Sequence, residues 1–379
     1  MYRTLAVSGY RSLRDVVLRL GRVTVVTGGN GSGKSSVHKS LRLLAACGQG
    51  EVIRSLATEG GLSSILWAGP ESLNAARRTG QVQGTTRKGP IALKIGIGSD
   101  SLSYLIDLGI PPQDVTSLFS KDPEIKRESL WVGPIMRPGT MLARRKRAGV
   151  EIKSGRSWEA VGKILTHETM LDANAIPELR DLRDELAAWR FYDALRTDST
   201  APARSPQVGT RARALDEDGA NLAATLQTIL ERGRTDVDGL VEDAFPGSQL
   251  RVLADDGIFD VTLLQPGMLR PLRSAELSDG TLRYLMLLAA LHPPQQVPLI
   301  ALNEPENSLH SSLLEPLARM IVRASNDTQI FVVTHSPVLL EALTAADGTE
   351  HVRLEKDLGE TMVGDQGLLT RPQWEWGSR

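Results

Sequence analysis

The chain has 379 residues, 41% of them hydrophobic and 23% charged, which is the composition of an ordinary globular protein. The formal net charge of -1 gives no overall attraction to nucleic acid, so any basic surface has to be local. The single cysteine, Cys47, excludes an intrachain disulfide and favours a reducing compartment. No apolar run approaches the roughly 20 residues of a membrane span and no signal peptide is recognisable, so we expect a cytoplasmic protein without membrane contact.

Residues 1–115 are predicted to form strands around a glycine-rich turn. A β-branched run at 22–27 leads into GGNGSGKSS, and a helical pattern follows as far as Gly48, with Cys47 on its buried face. Two alternating stretches, IALKIGI and LSYLIDL, are separated by GSDS and predict a hairpin. These elements predict an N-terminal lobe that carries a phosphate-binding turn.

The rest of the chain divides into two segments with different sequence patterns. Residues 116–245 hold a basic turn, LARRKRAGV, and two predicted amphipathic helices, one with apolar residues at helical spacing from Leu179 to Trp189 and one near GANLAATLQTILER. Sustained heptads are absent, so we expect an inserted mixed arm or lid and no long coiled coil. Residues 246–379 alternate strands and helices and close with a predicted hairpin at HVRLEKDLGETMV.

The glycine-rich turn matches the phosphate-binding pattern G-x-x-x-x-G-K-[ST] in full. Glycines allow backbone N–H groups to turn toward phosphates, and the following helix presents its positive N-terminal end to them. Lys34 is expected to reach the β- and γ-phosphates, and the Ser35 hydroxyl to coordinate Mg²⁺. The predicted nucleotide-binding residues are Gly28, Gly29, Asn30, Gly31, Ser32, Gly33, Lys34, Ser35 and Ser36.

Further polar residues follow in the C-terminal segment, and the number of residues between them is informative. Ser278 and Gly280 stand at the start of a predicted helix and offer a second anion site, although a helix N-cap explains Ser278 equally well. Glu304 comes 26 residues later, directly after an apolar strand, and His335 lies 31 residues after Glu304, again behind a β-branched strand. Each residue alone has a structural explanation, but the set in this order favours phosphate chemistry.

The set resembles the ATPase heads of the ABC type, specifically the branch that contains SMC, RecF and OLD proteins. Within that branch the chain is similar to bacterial AAA-family predicted ATPases, on the motifs GYRSL, ELSDGTLRYL and NEPENSLH and on the stretches EGGLSSILWAGP and KDPEIKRESLW. The likeness covers essentially the whole chain. It implies an α/β, SMC/RecF-like P-loop ATPase head with an antiparallel β subdomain and an inserted mixed helical lobe.

The resemblance also implies roles for individual residues. Arg11 and Ser12 are expected near the adenine and phosphates, while Ser278 and Gly280 would clasp the γ-phosphate held by a second copy, in an ATP-dependent homodimer. Glu304 would orient and deprotonate the attacking water, and His335 would contact the γ-phosphate as a switch. The segment 307–310 would run along the dimer seam. Lys34, Glu304 and His335 are the implied catalytic residues.

The predicted Mg²⁺ partners are Ser35, Asn303 and Gln113. Asn303 occupies the position where the family carries an aspartate, and it keeps an oxygen acceptor while losing the charge, so we expect a slow but competent ATPase. Gln113 is a candidate lever to the metal, but a plain loop residue is an open alternative. Asp279 adds a negative charge to the signature. Only 44 residues follow His335, so we expect no nuclease domain of the OLD type in this chain.

Two clusters of arginines raise the question of nucleic acid. Arg144, Arg145, Lys146 and Arg147 form a basic turn that predicts contact with double-stranded DNA, and Arg196, Arg204, Arg211 and Arg213 punctuate a later loop. A solvated hairpin tip with a loose loop explains both features as well. Trp189, Phe191 and Tyr192 suggest base stacking, but their spacing favours core packing.

Three functions remain open at this point. The first is a dimerising ATPase that acts on or around DNA, in repair or in defence against foreign DNA. The second is a scaffold whose ATP cycle regulates a separate effector protein. The third, the nucleotide-binding subunit of a transporter, is disfavoured because GYRSL, the NEPE strand and the arm all resemble the SMC–RecF–OLD side.

Overall fold

A computed structural model describes residues 1–70, 92–111, 122–367 and 369–377. The strands are β1 (Tyr2–Tyr10), β2 (Leu13–Arg19), β3 (Val23–Gly28), β4 (Ala92–Ser99), β5 (Leu102–Gly109), β6 (Glu124–Val132), β7 (Met141–Lys146), β8 (Gly149–Ser154), β9 (Ser157–Lys163), β10 (Arg190–Tyr192), β11 (Gln207–Val208), β12 (Gln249–Asp255), β13 (Ile258–Leu264), β14 (Leu272–Arg273), β15 (Leu299–Asn303), β16 (Gln329–Val333), β17 (Thr349–Asp357) and β18 (Glu360–Val363). The helices are α1 (Lys34–Gly48), α2 (Val52–Thr58), α3 (Leu62–Ile65), α4 (Pro177–Ala187), α5 (Leu222–Arg232), α6 (Val237–Ala244), α7 (Asp279–Leu291), α8 (Leu314–Ala324) and α9 (Pro337–Thr344).

The chain forms two compact units. The first unit comprises Met1–Gly21, Val26–Trp189 and Val352–Arg379, and the second comprises Arg22–Val25 and Arg190–His351. The predicted division at residues 115 and 245 follows sequence order, whereas these units are each assembled from distant segments. The three-part division therefore stays a prediction.

The first unit is built on an antiparallel sheet with the strand order β2-β1-β4-β5-β6-β7-β8-β9. The predicted hairpin is present as β4 and β5, with Ile95 opposite Ile106. Helix α1 packs closely on α4 at Gly48, where a side chain would not fit. A Cβ at this position would lie 2.6 Å from the Arg183 carbonyl oxygen. Cys47, beside that glycine, is fully buried as predicted. The closing hairpin is also confirmed, as β17 and β18.

The basic turn between β7 and β8 differs from the predicted DNA-contacting surface. Arg145 is completely buried, and its Nη1 lies 2.9 Å from the equally buried Glu128 carboxylate. Arg144 is paired with Glu151 and lies 4.0 Å from the centre of the Trp158 ring. This ion pair is part of the protein interior. Removing either partner would leave the other charge buried and uncompensated. The prediction of a four-residue basic surface is therefore wrong for Arg145, while Lys146 and Arg147 remain exposed.

The second unit is organised by a parallel sheet in which β10, β15 and β16 lie side by side. The start of β3 continues it, because the Ile330 N–H donates to the Arg22 carbonyl oxygen at 2.9 Å. A smaller antiparallel sheet consists of β11, β13 and β12, with β14 also paired to β13. Helix α7 is buried over nearly its whole circumference, as expected for a helix that is apolar all round.

The aromatic residues that suggested base stacking are core residues. Trp189 is 1% exposed in the first unit, and Phe191 and Tyr192 are each 2% exposed in the second. Trp189 Nε1 donates to the Tyr2 hydroxyl at 2.8 Å, which satisfies its only polar group. The prediction of core packing is confirmed. Within the described ranges, no helix combines the length and apolar character needed to cross a bilayer.

Candidate nucleotide site

The phosphate-binding turn lies in the first unit, between β3 and α1, where the sequence predicts it. Gly28, Gly31 and Gly33 have φ angles of 151°, 74° and 109°, a region that side chains rarely adopt. Lys34 is the first residue of α1, and its Nζ donates to the carbonyl oxygens of Gly28 and Gly29 at 2.7 and 3.0 Å. The glycines therefore allow the turn to curl around the lysine head.

The rear of this turn is fixed by the last hairpin of the chain. The Thr361 hydroxyl oxygen lies 2.8 Å from both the Ser12 Oγ and the Ser32 carbonyl oxygen. A Cβ on Gly33 would come within 2.3 Å of the same Thr361 hydroxyl. A Cβ on Gly28 would approach the Leu354 carbonyl oxygen to 2.3 Å. Ser12 thus lies beside the turn as expected, whereas no motif in the sequence pointed to Thr361.

The front of the turn is suited to an anion. Around Gly29 nothing in the described chain comes within 4 Å of a Cβ position. Among the described residues no side chain caps the N-terminus of α1, and its first turn has no acidic residue. The buried Ser32 Oγ has no hydrogen-bond partner among the described residues. Open backbone donors, a lysine and a spare hydroxyl fit the phosphates of a nucleotide.

Arg11 is held by an acidic residue that the sequence did not single out. It adopts a left-handed φ of 49°, and its guanidinium forms an ion pair with Glu59. Glu59 also accepts a hydrogen bond from the Tyr10 hydroxyl at 2.8 Å. Burial, and then the Glu59 contact, raise the pKa of Tyr10, so its hydroxyl remains a donor. Arg11 is 39% exposed at the side chain, and its predicted role toward the nucleotide stays a prediction.

The second group of predicted residues meets in the second unit, at the carboxyl ends of two neighbouring parallel strands. Strands β15 and β16 are paired with Asn303 opposite Val333. Each strand is followed at once by a polar residue, and the Glu304 Oε1 lies 3.2 Å from the His335 Nε2. Carboxyl ends of parallel strands are the usual place for ligand sites in open α/β sheets.

Glu304 is held in position by its backbone and by a second side chain. Its φ is 49°, and its N–H donates to the Val333 carbonyl oxygen at 2.8 Å, so the strand pairing continues into the turn. The Asn307 Nδ2 donates to the Glu304 Oε2 at 2.8 Å. Each carboxylate oxygen therefore has one side-chain contact, His335 on one and Asn307 on the other. A left-handed conformation in a non-glycine residue is a strained arrangement of the type found at functional sites.

The signature residues begin α7 in the same unit. Ser278 is the N-cap and its Oγ accepts from the Thr281 N–H at 3.2 Å, so the helix-cap alternative is realised. Ser278 is nevertheless exposed, and its role as an anion donor stays a prediction. A Cβ on Gly280 would lie 3.0 Å from the Ser308 carbonyl oxygen, which places the start of α7 against the turn after β15.

The unusual signature aspartate is paired with an arginine from the predicted basic loop. The Arg204 Nη2 lies 2.5 Å from the Asp279 Oδ1. The same guanidinium donates to the Leu277 carbonyl oxygen at 2.7 Å and, through Nε, to the Thr197 carbonyl oxygen at 2.7 Å. The added charge that the sequence places in the signature is thus offset locally. Arg204, which raised the question of DNA, supports the signature segment.

Arg283, inside α7, connects the signature helix to the Glu304 turn. It is 6% exposed, and it donates to the Leu195 carbonyl oxygen at 2.8 Å and to the Glu304 carbonyl oxygen at 3.2 Å. Burial lowers the pKa of Arg283, and the negative charges of Glu306 and Glu304 oppose that shift. A buried guanidinium needs such compensation, so the helix is bound electrostatically to the turn.

The predicted Mg²⁺ partners are only partly placed. Ser35 is exposed in the first turn of α1, and Asn303 is half-buried at the end of β15. Gln113 lies outside the described residues. Within the described ranges, no group of three or more His, Cys, Asp or Glu side chains is arranged to hold a metal ion. The roles of Ser35 and Asn303 toward Mg²⁺ therefore stay predictions.

Comparisons with solved structures show which known fold the chain shares. The chain matches the SMC head domain from Thermotoga maritima with a TM-score of 0.50 at 14% identity, covering 97% of this chain and 99% of that one. It matches an SMC head bound to the C-winged helix domain of ScpA with a TM-score of 0.52 at 14% identity, over 97% and 98% of the two chains. An SMC head with an extended coiled coil from Pyrococcus furiosus, bound to the C-terminal domain of ScpA, gives 0.51 at 14% identity, over 96% and 95%.

The fold is that of an ABC-type, SMC-like P-loop ATPase head, as the sequence predicts. Residues 23–341 match the AAA_21 family, described as "AAA domain, putative AbiEii toxin, Type IV TA system". The chain belongs to this family, since the match spans most of its length. A comparison with curated proteins finds no match.

Gly33→Ala is expected to disrupt the phosphate-binding turn. The new Cβ would meet the Thr361 hydroxyl and would stand at a φ of 109°, where a side chain costs about 1–2 kcal/mol through the backbone alone. We expect a lower melting temperature and loss of the stabilisation that ATP gives to the parent protein. Thermal unfolding with and without ATP measures both effects.

Gly29→Ala is the matched control for the fold, because no described atom lies within 4 Å of its Cβ position. It should keep the parent melting temperature without ATP. Equal melting temperatures for Gly33→Ala and the parent would contradict the close packing of Thr361 against the turn.

Proposed function

We propose that this protein binds ATP with Mg²⁺, hydrolyses it slowly, and dimerises when ATP is bound. The observation that carries the proposal is the 3.2 Å approach of His335 to Glu304 at the ends of adjacent parallel strands. Phosphoryl transfer requires little covalent chemistry from a protein and depends on positioning and electrostatics. A carboxylate and an imidazole fixed together supply a base for water and a donor for phosphate oxygen.

Each residue has a definite task in this proposal. The turn Gly28–Ser36 binds the triphosphate, Lys34 neutralises phosphate charge and Ser35 coordinates Mg²⁺. The metal, when bound, offsets the charge that develops on the phosphate oxygens. Glu304 orients the attacking water and accepts its proton, and Asn307 and His335 hold that carboxylate in place. Asn303 would lie near the metal and would offer it an oxygen acceptor without adding charge.

Dimerisation follows from the place of the signature residues. Ser278 and Asp279 are exposed at the start of α7, and Gly280 next to them has no side chain to block an incoming phosphate. We propose that Ser278 and Gly280 bind the γ-phosphate held by a second copy of the chain. ATP, and not ADP, would then complete the interface.

Glu304→Gln should trap the ATP-bound dimer. The amide keeps the size and one acceptor of the carboxylate but cannot take the proton of the attacking water. We expect ATP turnover to fall by roughly 100-fold or more and the dimer to persist, as measured by phosphate release and light scattering. Ser278→Ala combined with Glu304→Gln is the control, and it should return the protein to a monomer. A monomer under ATP with Glu304→Gln alone would contradict the proposed mechanism.

Asn303 is proposed to be a partner of Mg²⁺ through water. Asn303→Asp should lower the Mg²⁺ concentration needed for half-maximal ATPase by up to about tenfold, at the low end of such indirect effects. The added carboxylate would also stand next to Glu304 and raise its proton affinity by like-charge repulsion, so turnover at saturating Mg²⁺ need not increase. Asn303→Ala should require more Mg²⁺ than the parent. Identical Mg²⁺ titrations for Asn303→Ala and the parent would exclude a role at the metal.

We further propose that the ATPase acts on or around DNA, in repair or in defence against foreign DNA. The exposed tip formed by Lys146 and Arg147 supports this proposal. The family description, which names a toxin of a toxin–antitoxin system, agrees with a defensive role. The second candidate is regulation of a separate effector protein, and it is favoured by the two similar SMC heads that are bound to domains of ScpA.

Reversing the exposed charges at the tip separates the two candidates. Lys146→Glu with Arg147→Glu should weaken DNA binding and reduce the slope of log affinity against log salt by about two, one unit for each lost phosphate contact. The control is Arg54→Glu with Arg180→Glu, which makes the same charge change on exposed helical surfaces. Arg145 is left intact because it is buried against Glu128. If the parent protein binds no DNA at low salt, the effector candidate replaces this one.

A further inference from the structure

Glu306, the second glutamate of the sequence NEPE, contacts the His335 turn. Its Oε1 accepts three hydrogen bonds: from the Thr334 hydroxyl at 2.6 Å, the His335 N–H at 2.8 Å and the Ser336 N–H at 3.1 Å. The donors are three successive residues that leave β16 and lead into α9. One carboxylate oxygen therefore fixes the backbone on which His335 is carried.

The other oxygen of the same carboxylate faces a buried region. Glu306 Oε2 is inaccessible and has no hydrogen-bond partner among the described residues, and the same holds for the Nε of Arg283. Among the charges that favour the protonated form of Arg283, the negative charge of Glu306 raises its pKa the most. Glu306 thus combines a strong local contact to the switch turn with electrostatic attraction to the signature helix α7.

We infer that Glu306 is a positioning residue that sets the orientation of His335 toward Glu304. The inference rests on the proposed ATPase function for its consequences, but the geometry it describes exists without nucleotide. Three hydrogen bonds to one acceptor oxygen at this distance from the backbone keep the 334–336 turn in one conformation. In that conformation the imidazole of His335 reaches the Glu304 carboxylate.

The arrangement also assigns a purpose to the charge of Glu306. A neutral acceptor of the same shape would satisfy the three donors. It would, however, remove one of the two negative charges, Glu306 and Glu304, that stabilise the charged form of Arg283. The signature helix and the switch turn therefore share one carboxylate. If α7 moves when a second copy binds, Glu306 would transmit the movement to the turn that carries His335.

Three substitutions at Glu306 separate these contributions. Glu306→Gln keeps a carbonyl acceptor at full length and removes the charge. Glu306→Asp keeps the charge and draws the acceptor back by one methylene, and Glu306→Ala removes both. Thermal unfolding of each variant shows that it is folded, and if Glu306→Ala is not, the Asp and Gln variants still carry the test.

The first readout is the ring resonance of His335 in the nucleotide-free protein. The chain has six histidines, and the His335 signal is identified by its loss in His335→Gln. We expect that signal to move or broaden in Glu306→Ala and Glu306→Asp, and to return toward the parent position in Glu306→Gln. The His292 signal, from a ring hydrogen-bonded to Leu288, is the internal reference and should not move.

The second readout is ATP hydrolysis against ATP binding. Displacement of a reacting group by about 1 Å costs up to roughly 100-fold in rate, so Glu306→Ala should lose about 10- to 100-fold in turnover. ATP affinity, which depends on the phosphate-binding turn, should stay within about threefold of the parent. Glu306→Gln should recover a large part of the lost turnover.

The outcomes are distinct for the inference and for the proposed function. A His335 resonance that is the same in the parent, Glu306→Asp and Glu306→Ala would overturn the positioning role. The parent protein failing to hydrolyse ATP would overturn the ATPase proposal while leaving the resonance test intact. Equal loss of turnover and of ATP affinity in Glu306→Ala would show a general structural effect and also overturn the inference.

Discussion

The pairing of β15 with β16 is the constraint on which the contact between Glu304 and His335 depends. Because Asn303 stands opposite Val333, the residues that follow each strand leave the sheet at the same level and their side chains meet. A slip of the register by one residue would point every side chain of a strand to the opposite face. The bulky apolar residues that fill both strands oppose such a slip, so burial in the sheet fixes the distance between Glu304 and His335.

The charges of the second unit are balanced by two arginines, one from the later loop and one from inside the signature helix. Arg204 offsets the signature aspartate, and Arg283 lies buried between the Leu195 carbonyl and the Glu304 turn. Both guanidiniums also donate to backbone carbonyl groups, which fixes the segments around them. A protein that carries a charged signature therefore needs the loop that neutralises it, and the two have to be considered as one feature.

The fold and the identity of the motif residues could be predicted because they depend on local rules. The glycine spacing before Lys34, the apolar strands before Glu304 and His335, and the hairpin turns each leave a pattern of a few residues. The contacts that hold these residues could not be predicted, since they join segments far apart in sequence. Thr361 contacts the phosphate-binding turn and Glu59 contacts Arg11. Glu59 begins a stretch that indicated only the family and Thr361 lies in a predicted hairpin, so the sequence signalled no role for either residue.

Charge patterns were the least reliable guide. Four consecutive basic residues in a hairpin predicted an exposed surface, but strand alternation turns Arg145 inward, where Glu128 compensates it. Arg204 in the later loop proved to be structural for the same general reason. A guanidinium with an apolar stem and a planar donor group is well suited to bonding carbonyl and carboxylate oxygens in the interior. Alternation along a strand distinguishes the inward arginine from its exposed neighbours.

The contact of Thr361 with the phosphate-binding turn has a consequence for synthesis of the chain. Ser32 leaves the ribosome early, but the hydroxyl that bonds its carbonyl oxygen is 329 residues further on. Leu354, which lies against Gly28, is made almost as late. During translation the nascent turn therefore lacks its rear support until the final hairpin emerges. The phosphate-binding turn therefore gains its native support only after β18 has been made, and shortened chains that stop before β18 would carry the motif without that support.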